Sequence, residues 1–62
     1  MSFSKYGKVV AAVAEMYWRA GHTVATAVAH AEEELLGLGV CPDREDLEEY
    51  VRSVWYVLAE KN

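Results

Sequence analysis

Few side chains in this chain have the types and spacings that metal or cofactor chemistry requires. His22 and His30 are eight residues apart, whereas paired metal ligands on one helix face lie about four apart. Cys41 is the single cysteine, so it has no partner for a CxxC motif. His30 with Glu33 or Glu34 offers only two ligands, fewer than a structural zinc site needs. The sequence therefore predicts neither a metal site nor a bound cofactor.

Patterns for catalysis are equally scarce. Ser2, Ser4 and Ser53 lie outside any nucleophile motif, and the glycines of LLGLGV are not followed by the GK[ST] of a phosphate-binding loop. Carboxylates are plentiful, but their spacing places them on exposed helix faces with no implied cleft. A chain this small also has little room for an enclosed substrate pocket. We therefore expect no enzymatic activity and assign no catalytic residue.

The composition is that of one small folded domain spanning residues 1–62. The chain is 53% hydrophobic and 26% charged, and its formal net charge is −4. A chain of this length buries only about 60% of its unfolded surface, so its core is marginal unless something reinforces it. The lone Cys41 fits a reducing compartment, and no run of about 18 apolar residues is present to cross a membrane. We expect a cytoplasmic protein.

Charge is divided unevenly along the chain. Residues 1–31 contain three bases and one acid, whereas residues 32–62 contain three bases and nine acids. An acidic half repels phosphate, so binding to nucleic acid is not expected. Its natural partner is a basic surface, on another protein or on a second copy of this chain.

Apolar residues recur with helical spacing in three segments, predicted at residues 4–19, 23–38 and 43–60. Thr23 and Asp43 are suited to cap the second and third helices, and Gly21 and Gly39 are suited to end the first and second. The alternation in TVATAVAHA is also compatible with a strand, but its alanines favour helix. We predict an all-α, three-helix domain of antiparallel helices joined by short glycine-containing turns. Its predicted core residues are Phe3, Tyr6, Val10, Val13, Tyr17, Val24, Val28, Ala31, Leu35, Leu47, Tyr50, Val51, Val54 and Leu58.

The first predicted helix is unusually apolar. Its apolar arc covers on the order of 220°, about twice the width that a surface helix needs to cover one core. Two neighbouring helices of the same chain are not expected to cover that arc, so we predict a homodimer. The residues predicted to form the self-association surface are Tyr6, Val10, Val13, Tyr17 and Trp18.

Two further features indicate binding to another protein. Three consecutive glutamates lie in the second half of the second helix, where the helix dipole disfavours negative charge. Two aromatic residues of the third helix lie at the edge of its core stripe or on its polar side, and exposed aromatic residues are enriched in interfaces. The residues predicted to bind a partner are Glu32, Glu33, Glu34, Trp55 and Tyr56.

These features favour a non-enzymatic inhibitor or adaptor that occludes a host protein with a basic or apolar surface. Compact acidic helical proteins of this size are typical of bacteriophage and mobile-element accessory factors, which is an analogy only. One alternative is a helix-turn-helix DNA-binding regulator, although its recognition helix would begin with the acid-rich Asp43–Asp46. Another is an oligomer that binds a nucleotide or other small molecule through Tyr17, Trp18, Arg19 and His22.

Overall fold

A computed structural model of the chain describes residues 4–61. A 3-10 turn, Ser4–Tyr6, leads into three α-helices: α1 (Gly7–Arg19), α2 (Val24–Gly37) and α3 (Arg44–Lys61). All three helices pack against one another, and no strand occurs within residues 4–61. The prediction of an all-α, three-helix architecture is confirmed, and the segment with strand-like alternation is helical. Phe3, which we predicted to be a core residue, lies outside the described residues.

The first helix begins later than the apolar pattern predicts. Ser4–Tyr6 form a 3-10 turn, and regular α-helix starts only at Gly7. The N-cap position is occupied by Tyr6, whose side chain makes no capping hydrogen bond. Tyrosine lacks the short side-chain oxygen that satisfies the free amides of a first turn, and glycine is a weak helix former.

Side-chain caps fix the starts of the other two helices. Thr23 Oγ1 accepts a hydrogen bond from the backbone N–H of Thr26 at 3.2 Å. Asp43 Oδ1 accepts from the N–H groups of Glu45 at 2.9 Å and Asp46 at 3.4 Å. Both predicted N-caps are confirmed. Each occupies amide groups that have no partner within the helix.

Glycines with positive φ end α1 and α2. Gly21 and Gly39 both have φ of +82°, a conformation that residues with a Cβ rarely adopt. At the end of α2, the Gly39 N–H donates to the Leu36 carbonyl at 3.0 Å, and the Val40 N–H donates to the Leu35 carbonyl at 2.9 Å. This pair of hydrogen bonds is the Schellman motif that the sequence predicts at this position.

The core lies where the three helices meet. Eight fully buried side chains form it, with contributions from every helix: Val10, Ala14, Ala27, Val28, Ala31, Leu35, Leu47 and Val51. Six of these belong to the predicted core. Ala14 and Ala27 are buried but were not among the predicted core residues. Six other predicted core residues are only partly buried and pack around this centre: Tyr6, Val13, Tyr17, Val24, Tyr50 and Val54.

The apolar surface of α1 is better covered than the sequence predicts. Val10, which we placed in the self-association surface, is completely buried within its own chain, and that assignment is corrected. The seam that contains it is the core face of the bundle, because α2 and α3 both pack on α1 and together cover a wide arc. Among the described residues, Met16 is the one large hydrophobic residue of α1 that is exposed, while the others lie on α2 and α3 or just beyond α2: Leu36, Leu38, Tyr56 and Val57.

Candidate functional site

An apolar groove lies between the first turn of α2 and the second half of α3. Its volume is about 410 Å³, and its lining residues, which define the apolar groove below, are Val24, Arg52, Trp55, Tyr56 and Ala59. Trp55 is half-buried and packs against the core, whereas Tyr56 is 75% exposed. The structure thus places the two predicted partner-binding aromatic residues in one groove.

Helical spacing explains why α3 presents these side chains together. Arg52, Trp55, Tyr56 and Ala59 follow one another at intervals of three, one and three residues, which places them on one face of a helix. Val24 completes the groove from α2, and the Thr23 cap fixes the backbone at that point. Trp55 is held by its core contacts, so the groove is built on a rigid part of the bundle.

The same face of α3 continues toward its N-terminus as an acidic surface. Glu45, Glu48 and Glu49 line a second hollow together with Asp46 and Arg52. We call the whole face the α3 stripe, comprising Glu45, Glu48, Glu49, Arg52, Trp55, Tyr56 and Ala59. With a helical rise of about 1.5 Å per residue, Tyr56 lies about 10 Å from Glu49 and about 16 Å from Glu45 along the helix axis.

Arg52 lies where the two parts of the α3 stripe meet. Its Nη2 lies 2.7 Å from Glu48 Oε1, so the positive charge is already matched within the helix. Both side chains are largely open to solvent, and a pair of this kind contributes little to stability. The acidic part of the stripe therefore keeps an excess of negative charge from Glu45 and Glu49.

A third hollow extends the apolar groove along the seam between α2 and α3. Its α2 side consists of small and β-branched residues, and its α3 side of charged ones: Val24, Ala25, Val28, Arg44, Glu48 and Arg52. Val24, at the start of α2, lines a groove with Ala59, near the end of α3, whereas Glu32 pairs with Arg44 at the start of α3. The start of α2 therefore lies beside the end of α3, and the second half of α2 lies beside the start of α3, so the two helices run antiparallel.

The three consecutive glutamates of α2 do not act as one patch. Glu32 Oε1 lies 3.2 Å from Arg44 Nη1, and its side chain is only 29% exposed, so it joins α2 to α3. Glu33 is 78% exposed and lies 3.7 Å from His30 Nδ1, while Glu34 is exposed. Successive helical residues point about 100° apart, so these carboxylates face different directions. Of the three, only Glu32 reaches the seam that contains the groove, through Arg44.

The remaining residues of the predicted self-association surface are partly buried. Tyr6, Val13 and Tyr17 pack against the core of their own chain. Trp18 is half-buried and lines a hollow with Leu58, near the C-terminal end of α3.

A ring cluster at the α1–α2 junction was not predicted. The rings of Tyr17 and His30 are stacked, with centroids 4.6 Å apart and planes at 26°, and His22 is tilted against Tyr17 at 5.1 Å. Arg19 Nη2 lies 2.8 Å from Glu15 Oε1. Three of the four side chains that the nucleotide-binding alternative requires, Tyr17, Arg19 and His22, therefore contact residues of their own chain.

Within residues 4–61, no group of three or more His, Cys, Asp or Glu side chains is arranged to hold a metal ion. None of the helices in this part of the chain combines the length and the apolar character needed to span a bilayer.

Comparison with known proteins identifies no relative. No family model matches the sequence, and neither the curated proteins nor the solved structures give a significant match. Function must therefore be argued from the residues of this chain.

Proposed function

We propose that this chain is a small, non-enzymatic protein-interaction module that binds a segment of another protein in the apolar groove. The exposure of Tyr56 beside the half-buried Trp55 is the observation that carries the proposal. A large aromatic side chain that is exposed on a helix gains the favourable free energy of burying its apolar surface only when a partner covers it. Tyrosine and tryptophan are also the residues most enriched at the energetic centres of protein interfaces.

Charge supports the same interpretation. The acidic part of the α3 stripe adjoins the groove, and the whole chain carries a formal net charge of −4. A positively charged partner would be attracted over several ångströms before contact, which raises the association rate.

The mode of action that fits such a module is occlusion of its partner. A bundle of this size covers a partner's surface without bringing catalytic groups to it, so its effect is to inhibit or to bridge. The size and acidity are those of phage and mobile-element accessory proteins, and that part of the proposal rests on analogy. The exposed, unpaired Cys41 supports a cytoplasmic location, where thiols stay reduced.

Alanine substitution in the groove tests the proposal. The immobilised chain should retain a stoichiometric partner from a lysate of its host, and Tyr56→Ala should weaken that binding at least tenfold, as expected for an interface hot spot. Val57→Ala is the matched control, because Val57 is the next residue and is also exposed but faces about 100° away. Circular dichroism should show both variants folded. Equal retention by Tyr56→Ala and the unmodified chain would contradict the proposal.

We further propose that the chain forms a homodimer through α1. The support is that coverage of α1 is incomplete: Tyr6, which precedes α1, and Val13, Tyr17 and Trp18 are only partly buried, and Met16 is exposed. Sedimentation equilibrium should give twice the mass of one chain, and Met16→Glu should shift the equilibrium toward a folded monomer. At about 100 µM, a dimer with a Kd of about 10 µM would be mostly assembled, so a single-chain mass at that concentration would rule this dimer out.

The structure offers the DNA-binding alternative no support from charge. Glu45 and Asp46 occupy the first turn of α3, and the cap residue Asp43 is also acidic. A recognition helix would have to direct that end at phosphates and base edges.

A further inference from the structure

We infer that the partner segment is an amphipathic α-helix whose bulky apolar residues lie about two helical turns from one lysine or arginine and about three turns from a second. This inference rests on the proposed function and specifies the chemistry of its ligand. The occupant must match both parts of the α3 stripe, where the carboxylates lie about 10–16 Å from Tyr56 along one helix face.

The aromatic part of the stripe determines the apolar end of the ligand. The apolar groove has Trp55 and Ala59 on α3 and Val24 on α2, with Tyr56 standing at its edge. A cavity of about 410 Å³ lined this way accepts a side chain the size of leucine, phenylalanine or tryptophan. Burying such a side chain is favourable by roughly 1.5–3 kcal/mol.

The acidic part determines the other end. Among the described residues, Glu45 and Glu49 form no ion pair, in contrast to Glu48, which pairs with Arg52 at 2.7 Å. Two cations placed opposite these carboxylates would be complementary in charge at the rim of an apolar contact, where such pairs determine orientation and choice of partner. An acidic or uncharged segment would lack that match.

The surrounding backbone favours a helix over an extended peptide as the occupant. An extended peptide is usually held by main-chain hydrogen bonds at a sheet edge, and residues 4–61 contain no strand. The seam between α2 and α3 is instead lined by the small or β-branched residues Ala25 and Val28. A helix of the partner can therefore approach it closely. From Glu45 to Ala59 the stripe is about 21 Å long, the length of a 14-residue helix.

The test is selection from a display library of helical peptides, randomised at seven positions of one face. Peptides selected on the unmodified chain should combine large apolar residues with Lys or Arg about seven and eleven positions away, and circular dichroism should show them helical when bound. Their affinity should fall at least tenfold for Glu45→Lys/Glu49→Lys. The matched control is Glu33→Lys/Glu34→Lys, which changes the net charge equally but lies on other faces of α2. At about 0.15 M salt the screening length is about 8 Å, so the control should bind within about twofold of the unmodified chain.

The possible outcomes separate the two proposals. Selected peptides that lack basic residues, or that bind both double variants equally, would overturn this inference while leaving groove binding intact. Selected peptides that remain extended when bound would overturn the helical assignment. Failure to select any peptide more strongly than on Tyr56→Ala would overturn the proposed function itself, and with it this inference.

Discussion

The Tyr50 hydroxyl donates a hydrogen bond to the Gly7 carbonyl oxygen at 3.2 Å, which joins the middle of α3 to the first turn of α1. A Cβ built on Gly7 would lie 3.2 Å from the same hydroxyl oxygen. The hydrogen bond and the absence of a side chain at Gly7 are therefore coupled. They join α3 to the N-terminal end of α1, where no side chain caps the helix.

A double-mutant cycle measures this coupling. Tyr50→Phe should lower the free energy of unfolding by about 1 kcal/mol, the usual net value of such a hydrogen bond. Gly7→Ala should be more favourable in the Tyr50→Phe background than alone, because the methyl group no longer meets the hydroxyl and alanine is the better helix former. Urea denaturation gives all four free energies. Strictly additive effects would show that the two residues are not coupled.

Two glycines at the end of α2 should respond oppositely to alanine. Gly37 is helical and has open space at its Cβ position, so Gly37→Ala should raise the free energy of unfolding by up to about 1 kcal/mol. Gly39 has φ of +82°, so Gly39→Ala should lower that energy by about 1 kcal/mol. Thermal unfolding should give a higher melting temperature for Gly37→Ala than for the unmodified chain, and a lower one for Gly39→Ala. A stabilising Gly39→Ala would contradict the left-handed ending of α2.

Alanine substitution should destabilise the protein far more at a buried leucine than at an exposed one. Leu47 is completely buried, and Leu47→Ala should cost about 2–5 kcal/mol. A chain of this length has a total stability of roughly 3–9 kcal/mol, so this variant should be largely unfolded near 37 °C. Leu36 is half exposed, so Leu36→Ala should cost under about 1 kcal/mol. Equal melting temperatures would show that the core does not lie where the three helices meet.

Aspartate substitutions at two neighbouring residues of α1 test which side of that helix the other helices cover. Val13 packs against the core, so Val13→Asp should abolish folding or assembly, because an unpaired carboxylate would be forced into an apolar contact. Ala12 is exposed, so Ala12→Asp should cost only the difference in helix propensity, about 0.7 kcal/mol or less. Circular dichroism and sedimentation report both properties. A normal melting curve and an unchanged oligomeric state for Val13→Asp would contradict this prediction.

Part of the candidate site could be predicted from the sequence. Trp55 stood out because it falls at the edge of the α3 core stripe, and Tyr56 because it falls on the polar side; both line the apolar groove. Their neighbours Arg52 and Ala59 follow from helical spacing alone, which is a signal that the sequence contains. Val24 does not, because its place beside Ala59 depends on how α2 packs against α3.

What the sequence alone determined about this protein is local: the three helices, the caps at Thr23 and Asp43, and the glycine ending of α2. These features depend on residues no more than about five positions apart, so the pattern of residue types specifies them. The tertiary structure decided which apolar residues are covered. It buried Val10 within its own chain and paired Glu32 with Arg44, because the coverage of a helix depends on how its neighbours pack around it.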